Sequence, residues 1–170
     1  MALKNSISRK AQTRPNWFIM CKPVPLPNSN PHTIPMFVHE EKIRVCYADT
    51  DQMGYVYYGN YARYYEIGRV EALRSLEFSY KELENSGVML PVYEHTSRYH
   101  QPARYDDLLT VKVSIRSLPH VRMIFNYEIY NEAGVLLNTG ETTLVFVEKA
   151  TGKICPAPCG LVQKLKPYLT

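Results

Sequence analysis

The sequence predicts an α+β fold: one long helix wrapped by a curled antiparallel sheet of five or six strands. Three observations predict it. Residues 60–76 carry the only sustained apolar pattern of helical period. From Val88 to Glu148 the period is 2, broken by short turns. The chain has 170 residues, 45% apolar and 21% charged, which suits one ordinary core. A lone helix must then bury its stripe against one sheet. Four cysteines are too few for a disulfide scaffold, and runs such as Trp17 to Cys21 are too short to span a bilayer.

Residues 1–36 stand apart. They hold six of the 12 prolines, five basic residues and no acid. Proline removes donors and disfavours helix at the residue before it, so this extension reads as irregular or disordered. No secretory h-region or cleavage site follows Trp17, and the prolines fit an amphipathic transit helix badly, so the chain is expected to be cytoplasmic. Met36 opens the first patterned segment and is a candidate start of translation. Residues 37–170 form the single folded domain. There Lys and Arg number 15 against 16 acids. No basic stripe suggests nucleic acid.

Within the domain, Lys42 to Tyr47 alternates as a strand with Ile43 and Val45 on one side. A long turn runs from Ala48 to Gly59. Asn60 is the expected N-cap of a helix reaching Leu76. Tyr61, Tyr64, Tyr65, Gly68, Ala72 and Leu76 form its apolar stripe, and Ile67, Val70 and Leu73 lie outside it, so the helix should be largely enclosed. Tyr80 to Asn85 is a short helical turn ending at Gly87. Val88 to Gln101 is a strand interrupted near Pro91. Leu108 to Leu118 puts Leu109, Val111, Val113 and Ile115 on one face. Val121 to Tyr130 does the same with Val121, Met123, Phe125, Tyr127 and Ile129. Asn131 to Gly134 is a hairpin turn, Val135 to Glu148 a long strand, and Cys159 to Leu169 a terminal helix. Short connections predict that sequence neighbours pair.

The chemistry concentrates between Tyr47 and Tyr65. Seven of the 14 tyrosines lie there, with Asp49, Asp51, Gly54, Gly59 and Asn60. Aromatic rings make pocket walls with polar tips. A helix start offers unpaired N–H groups and a positive dipole end. A carboxylate beside such donors can attack a carbonyl while the oxyanion is held. The plainer alternative is that both aspartates only shape a turn.

The run Arg44-Val45-Cys46-Tyr47-Ala48-Asp49-Thr50-Asp51-Gln52-Met53-Gly54-Tyr55-Val56-Tyr57-Tyr58-Gly59-Asn60-Tyr61, followed by Tyr65 to Arg74 (YEIGRVEALR), closely resembles the acyl-CoA thioesterases of the 4-hydroxybenzoyl-CoA thioesterase family. Pro102 to Asp107 and Leu144 to Val147 resemble that family's strand segments. The resemblance covers roughly residues 38–168 and implies the hot-dog fold. It also implies that Asp51 is the catalytic carboxylate, either a nucleophile forming a mixed anhydride or a general base. By the same resemblance the Tyr58 N–H binds the thioester carbonyl. Asp49 is expected to shape the loop. Gly54 and Gly59 should permit backbone geometry that a Cβ would block. Tyr55, Tyr57, Asn60 and Tyr61 complete the expected substrate pocket. Family members build that pocket between copies, and one curled sheet leaves edges open, so a homodimer or dimer-of-dimers homotetramer is expected.

Competing residues carry less. Glu66 sits between Arg63 and Arg69 and is expected to be salt-bridged. His95, His100 and His120 have no adjacent nucleophile. Cys155 and Cys159 lack a partner pair at metal spacing, so no metal is expected, and no cofactor. Cys46 is expected to pack. Arg104, Arg122 and Lys153 are candidates for CoA phosphates. The alternatives to an acyl-CoA thioesterase are an acyl-ACP thioesterase and a non-catalytic acyl-CoA binder. A hydratase fits poorly, since no His falls between His39 and His95.

Overall fold

Alternating burial begins at Phe37, where the computed structural model, which describes residues 35–169, starts its first strand. The expected irregular extension lies outside the described residues except for its last two. Strand β1 spans Phe37–Arg44, earlier than the Lys42 to Tyr47 the alternation suggested. Its chain ends at Arg44 because Val45 turns away to bond Asp107 O through its N–H at 3.0 Å. A 3-10 turn, Tyr47–Asp49, follows.

Helix α1 spans Asn60–Ser75. Its N-cap is Gly59, not Asn60. Asn60 is instead the first helical residue, and its amide serves the preceding loop. The expected stripe is buried from Tyr61 through Leu76. Gly68 marks closest approach to the sheet: a Cβ there would lie 2.9 Å from Val111 Cγ1 and Val113 Cγ2. Ile67 and Val70 are only half-buried, and Ala62, Arg63 and Glu66 are exposed. In the single chain the helix is therefore enclosed on one side rather than all round. Helix α2, Tyr80–Asn85, is where the pattern placed it, held by a reciprocal cap between Ser79 and Glu82.

The remaining strands are β2 (Val88–Met89), β3 (Val92–Tyr99), β4 (Leu108–Ile115), β5 (Arg122–Tyr130), β6 (Leu136–Val145) and β7 (Val147–Glu148). Helix α3, Cys159–Leu165, and a final 3-10 turn close the described chain. The large sheet has the order β1-β4-β5-β6-β3, all antiparallel, and β2 pairs with β7. The faces expected for β4 and β5 are buried as read, with Val121 half-buried. Pairing of sequence neighbours holds only along β4, β5 and β6: β1 joins β4, β2 joins β7, and β3 crosses to the far edge and joins β6. The expected strand from Val135 to Glu148 breaks at Phe146, whose N–H bonds Val121 O and whose carbonyl accepts from Cys155. The edge strand β3 is exposed along almost its whole length, Tyr93 and Tyr99 included.

Candidate active site

Asp51 sits at the head of a tight turn. Its N–H bonds Tyr55 O at 2.8 Å, its carbonyl accepts from Gly54 N–H at 2.9 Å, and Oδ1 accepts from Met53 N–H at 2.8 Å. Gly54 takes φ +74°, a conformation an L side chain strains to adopt. The other carboxylate oxygen, Oδ2, has no hydrogen-bond partner among the described residues. The turn thus fixes the carboxylate by one oxygen and leaves the second free.

Asp49 is the anchor beneath it. It is 2% exposed. Oδ2 accepts from Cys46 N–H and Tyr64 O–H, both at 3.0 Å, and Oδ1 meets Arg63 Nη1 at 2.7 Å. Its carbonyl accepts from Tyr57 N–H at 2.9 Å and Asn60 Nδ2 at 2.8 Å. One residue therefore ties the 3-10 turn, the Tyr57 stretch and the first turn of α1 together. Burial, then the hydrogen bond to Asp49, pushes the Tyr64 hydroxyl well above the usual phenol range.

Tyr58 lies just before the Gly59 cap. Its N–H has no hydrogen-bond partner among the described residues, while its carbonyl accepts from Tyr99 O–H at 3.2 Å. The Tyr57 and Tyr58 rings are exposed and 4.5 Å apart. Gly59 has φ −65°, open to any residue, so the expected backbone reason does not hold. A Cβ at position 59 would meet the exposed Tyr57 ring at 2.7 Å, so that ring would have to shift. Tyr61 is buried, edge-on to Tyr64 and Tyr99, and burial raises its pKa. Tyr55 is half-buried under the Arg104 guanidinium, 4.9 Å from its ring centre.

Other sequence expectations fall differently. Glu66 meets Arg69 at 3.8 Å, but Arg63 is taken by Asp49. Cys46 is exposed rather than packed, because β1 has already ended. Arg122 lies over the Tyr93 ring, 4.9 Å from its centre. His100 contacts Thr139 Oγ1 at 3.0 Å. Among the described residues no three His, Cys, Asp or Glu side chains gather at metal-binding range. Three contributors escaped the sequence reading: Arg63, Tyr64 and Tyr99. The first two were legible as the helix turn facing Asp49. Tyr99 comes from the far sheet edge and left no local signal.

The sequence pattern of the Thioesterase-like superfamily matches residues 45–165. This chain belongs to that superfamily. Acyl-CoA thioester hydrolase YbgC of Escherichia coli O157:H7 is 36% identical over 124 residues, covering 73% of this chain and 92% of the relative. The crystal structure of a DHNA-CoA thioesterase from Staphylococcus aureus is 34% identical with a TM-score of 0.64, covering 72% and 79% of the two chains. A 4-hydroxybenzoyl CoA thioesterase structure reaches 0.69 at 16% identity, covering 76% and 99%, a likeness of fold alone. The helix-wrapped sheet of this thioesterase-like chain is the hot-dog fold. None of its described helices is long and apolar enough to cross a membrane.

Proposed function

We propose that this protein hydrolyses the thioester of an acyl-CoA to the free acid and CoA. The observation that carries the reading is Asp51 on its glycine turn, one carboxylate oxygen free, in the loop that leads into the unpaired Tyr58 N–H at the start of α1. The free oxygen attacks the thioester carbonyl carbon or takes a proton from the water that does. The carbonyl oxygen gathers negative charge and the Tyr58 N–H binds it. The tetrahedral intermediate collapses, the C–S bond breaks, and CoA leaves as a thiolate that takes up a proton. In the covalent route water then cleaves the acyl–Asp51 anhydride. A thioester is electrophilic enough for one carboxylate and one oxyanion site.

Relatives named for acyl-CoA hydrolysis favour the CoA carrier. The working unit is a homodimer at least, joined along the exposed β3 edge. The test is release of free thiol from a panel of short, medium, branched and aromatic acyl-CoAs, with acyl-ACP as a parallel arm. Turnover of acyl-CoA supports the reading. Saturable binding of acyl-CoA without thiol release contradicts it and leaves a non-catalytic binder. Turnover of acyl-ACP alone reassigns the carrier.

A further inference from the structure

The Tyr58 N–H can hold an oxyanion only while its peptide stays turned toward the substrate. The groups that fix the two peptides flanking the Tyr58 Cα therefore decide how well it serves. A trans peptide points its C=O and N–H in opposite directions. Tyr57 O accepts from Asn60 N–H at 2.9 Å, which draws that carbonyl toward the helix. The other end of the same peptide, the Tyr58 N–H, then faces outward, without a partner among the described residues. The next peptide is held less firmly by its neighbours. Tyr58 O lies 3.4 Å from Tyr61 N and has its shorter bond, 3.2 Å, from the Tyr99 hydroxyl. Hydrogen bonds that serve catalysis are often long before substrate binds and tighten in the complex.

Tyr99 has a firm base from which to hold that carbonyl. It ends β3, where it pairs with Asn138 of β6. Just beyond it, His100 N–H and Gln101 N–H both bond Leu137 O, at 2.8 and 3.1 Å. Leu137 and Asn138 belong to the buried interior. The Tyr99 ring stands edge-on to buried Tyr61 in the first turn of α1, with centres 5.1 Å apart. A contact that arrives from a paired strand is placed more precisely than one from a loop. Packing does not account for the phenol: Tyr99 is 48% exposed, and a phenylalanine would meet Tyr61 equally well.

We infer that Tyr99 is a positioning residue for thioester hydrolysis: its hydroxyl fixes the Tyr58–Gly59 peptide and so aims the Tyr58 N–H at the thioester carbonyl. The inference deepens the thioesterase reading and rests on it. The hydroxyl acts through Tyr58. An oxyanion donor contributes by being oriented before charge develops. Without the Tyr99 hydroxyl, Tyr58 O keeps the 3.4 Å contact alone, and the N–H spends part of its time turned away. The loss falls on the chemical step and spares substrate binding.

The test is Tyr99→Phe, which keeps the ring against Tyr61 and removes the hydroxyl. With the best acyl-CoA of the panel, kcat is expected to fall about five- to tenfold, the effect of one neutral hydrogen bond, with KM unchanged. In a Tyr58→Pro background, where the N–H is already gone, the same substitution should cost nothing further. A ketone analogue of acyl-CoA, with CH₂ in place of the sulfur, reads the contact without turnover. Its bound carbonyl stretch should rise in Tyr99→Phe as the N–H bond to it weakens. Wild-type kcat in Tyr99→Phe, with the stretch unmoved, overturns the inference and leaves the thioesterase reading standing. An equal loss with and without the Tyr58 N–H also overturns it, since the phenol would then act on the substrate itself. So does a loss that disappears as the protein is concentrated, which would belong to assembly along β3. Full turnover by Tyr58→Pro would instead overturn the oxyanion role on which the inference stands.

Discussion

At the scale of single residues, Asp49 and Asp51 differ in how their carboxylates are held. Asp49 is buried and bonded through both carboxylate oxygens and its carbonyl, whereas Asp51 keeps one oxygen free. Asp49→Ala would strand the Tyr64 hydroxyl in the interior and leave the part-buried Cys46 N–H without its partner. Each lost partner of a buried group costs about 1–3 kcal/mol. The exposed Arg63 loses little, since water replaces its partner. A fall of about 2–4 kcal/mol in urea unfolding is expected, and a loss below about 0.5 kcal/mol would mean the loop is held by something else. Tyr58 separates backbone from side chain. Tyr58→Phe removes only a hydroxyl that is exposed and should keep most turnover. Tyr58→Pro removes the unpaired N–H and should lose about 10²–10³ in rate. The comparison holds where circular dichroism and oligomer size match wild type. Equal loss in both variants would assign the chemistry to the hydroxyl.

At the scale of elements, periodicity located α2, β4 and β5 closely because their patterns are local and complete. Leu109, Val111, Val113 and Ile115 alternate, and all are buried. The stripe on α1 was equally legible, but its cap was not. Asn60 is a good capping residue by type, yet Asp49 O claims its amide, and the cap passes to Gly59. The place of β3 could not be read from adjacency, since its partner β6 lies some 40 residues on. The same strand carries the element-scale prediction. Its outer rim is unpaired and largely exposed, and such an edge invites pairing with a second copy. His95→Pro on this strand removes an N–H that points away from β6 and should weaken the dimer in light scattering while the isolated fold persists. A monomeric wild type at micromolar concentration that still hydrolyses acyl-CoA contradicts edge-paired assembly.

At the scale of the whole molecule, the core is unusually rich in phenols. Tyr61, Tyr64 and Tyr65 on the helix and Tyr127 on the sheet are buried, and Tyr65 stacks on Tyr127 at 4.1 Å. Burial is the first cause of the raised pKa at each, with Tyr127 pushed up to about 12. In the unfolded chain these groups ionise near pH 10. The folded state therefore holds their protons more tightly above that pH. Their contribution is full below about pH 10 and is lost as pH rises through the folded values. Melting temperature should hold between about pH 8 and 9 and fall steeply from about pH 10 upward. A flat profile to about pH 11 would mean that these phenols ionise without unfolding. The aromatic density was visible in the sequence. Its division between core and loop rim was not, because Tyr57 and Tyr58 differ from Tyr64 and Tyr65 only in which side of the helix start they fall.

The central claim is that the free oxygen of Asp51 performs the attack or the proton removal. Asp51→Asn keeps the turn, because the amide oxygen still accepts from Met53 N–H, and it removes the anion. Thiol release from the best acyl-CoA of the panel is the measurement, made beside Glu66→Gln with circular dichroism and oligomer size checked for both. The account predicts a loss of about 10³-fold or more in kcat for Asp51→Asn and near wild-type turnover for Glu66→Gln. Turnover of Asp51→Asn within about tenfold of wild type, roughly 1.4 kcal/mol, with Glu66→Gln inactive, would move the catalytic carboxylate onto the helix and contradict it.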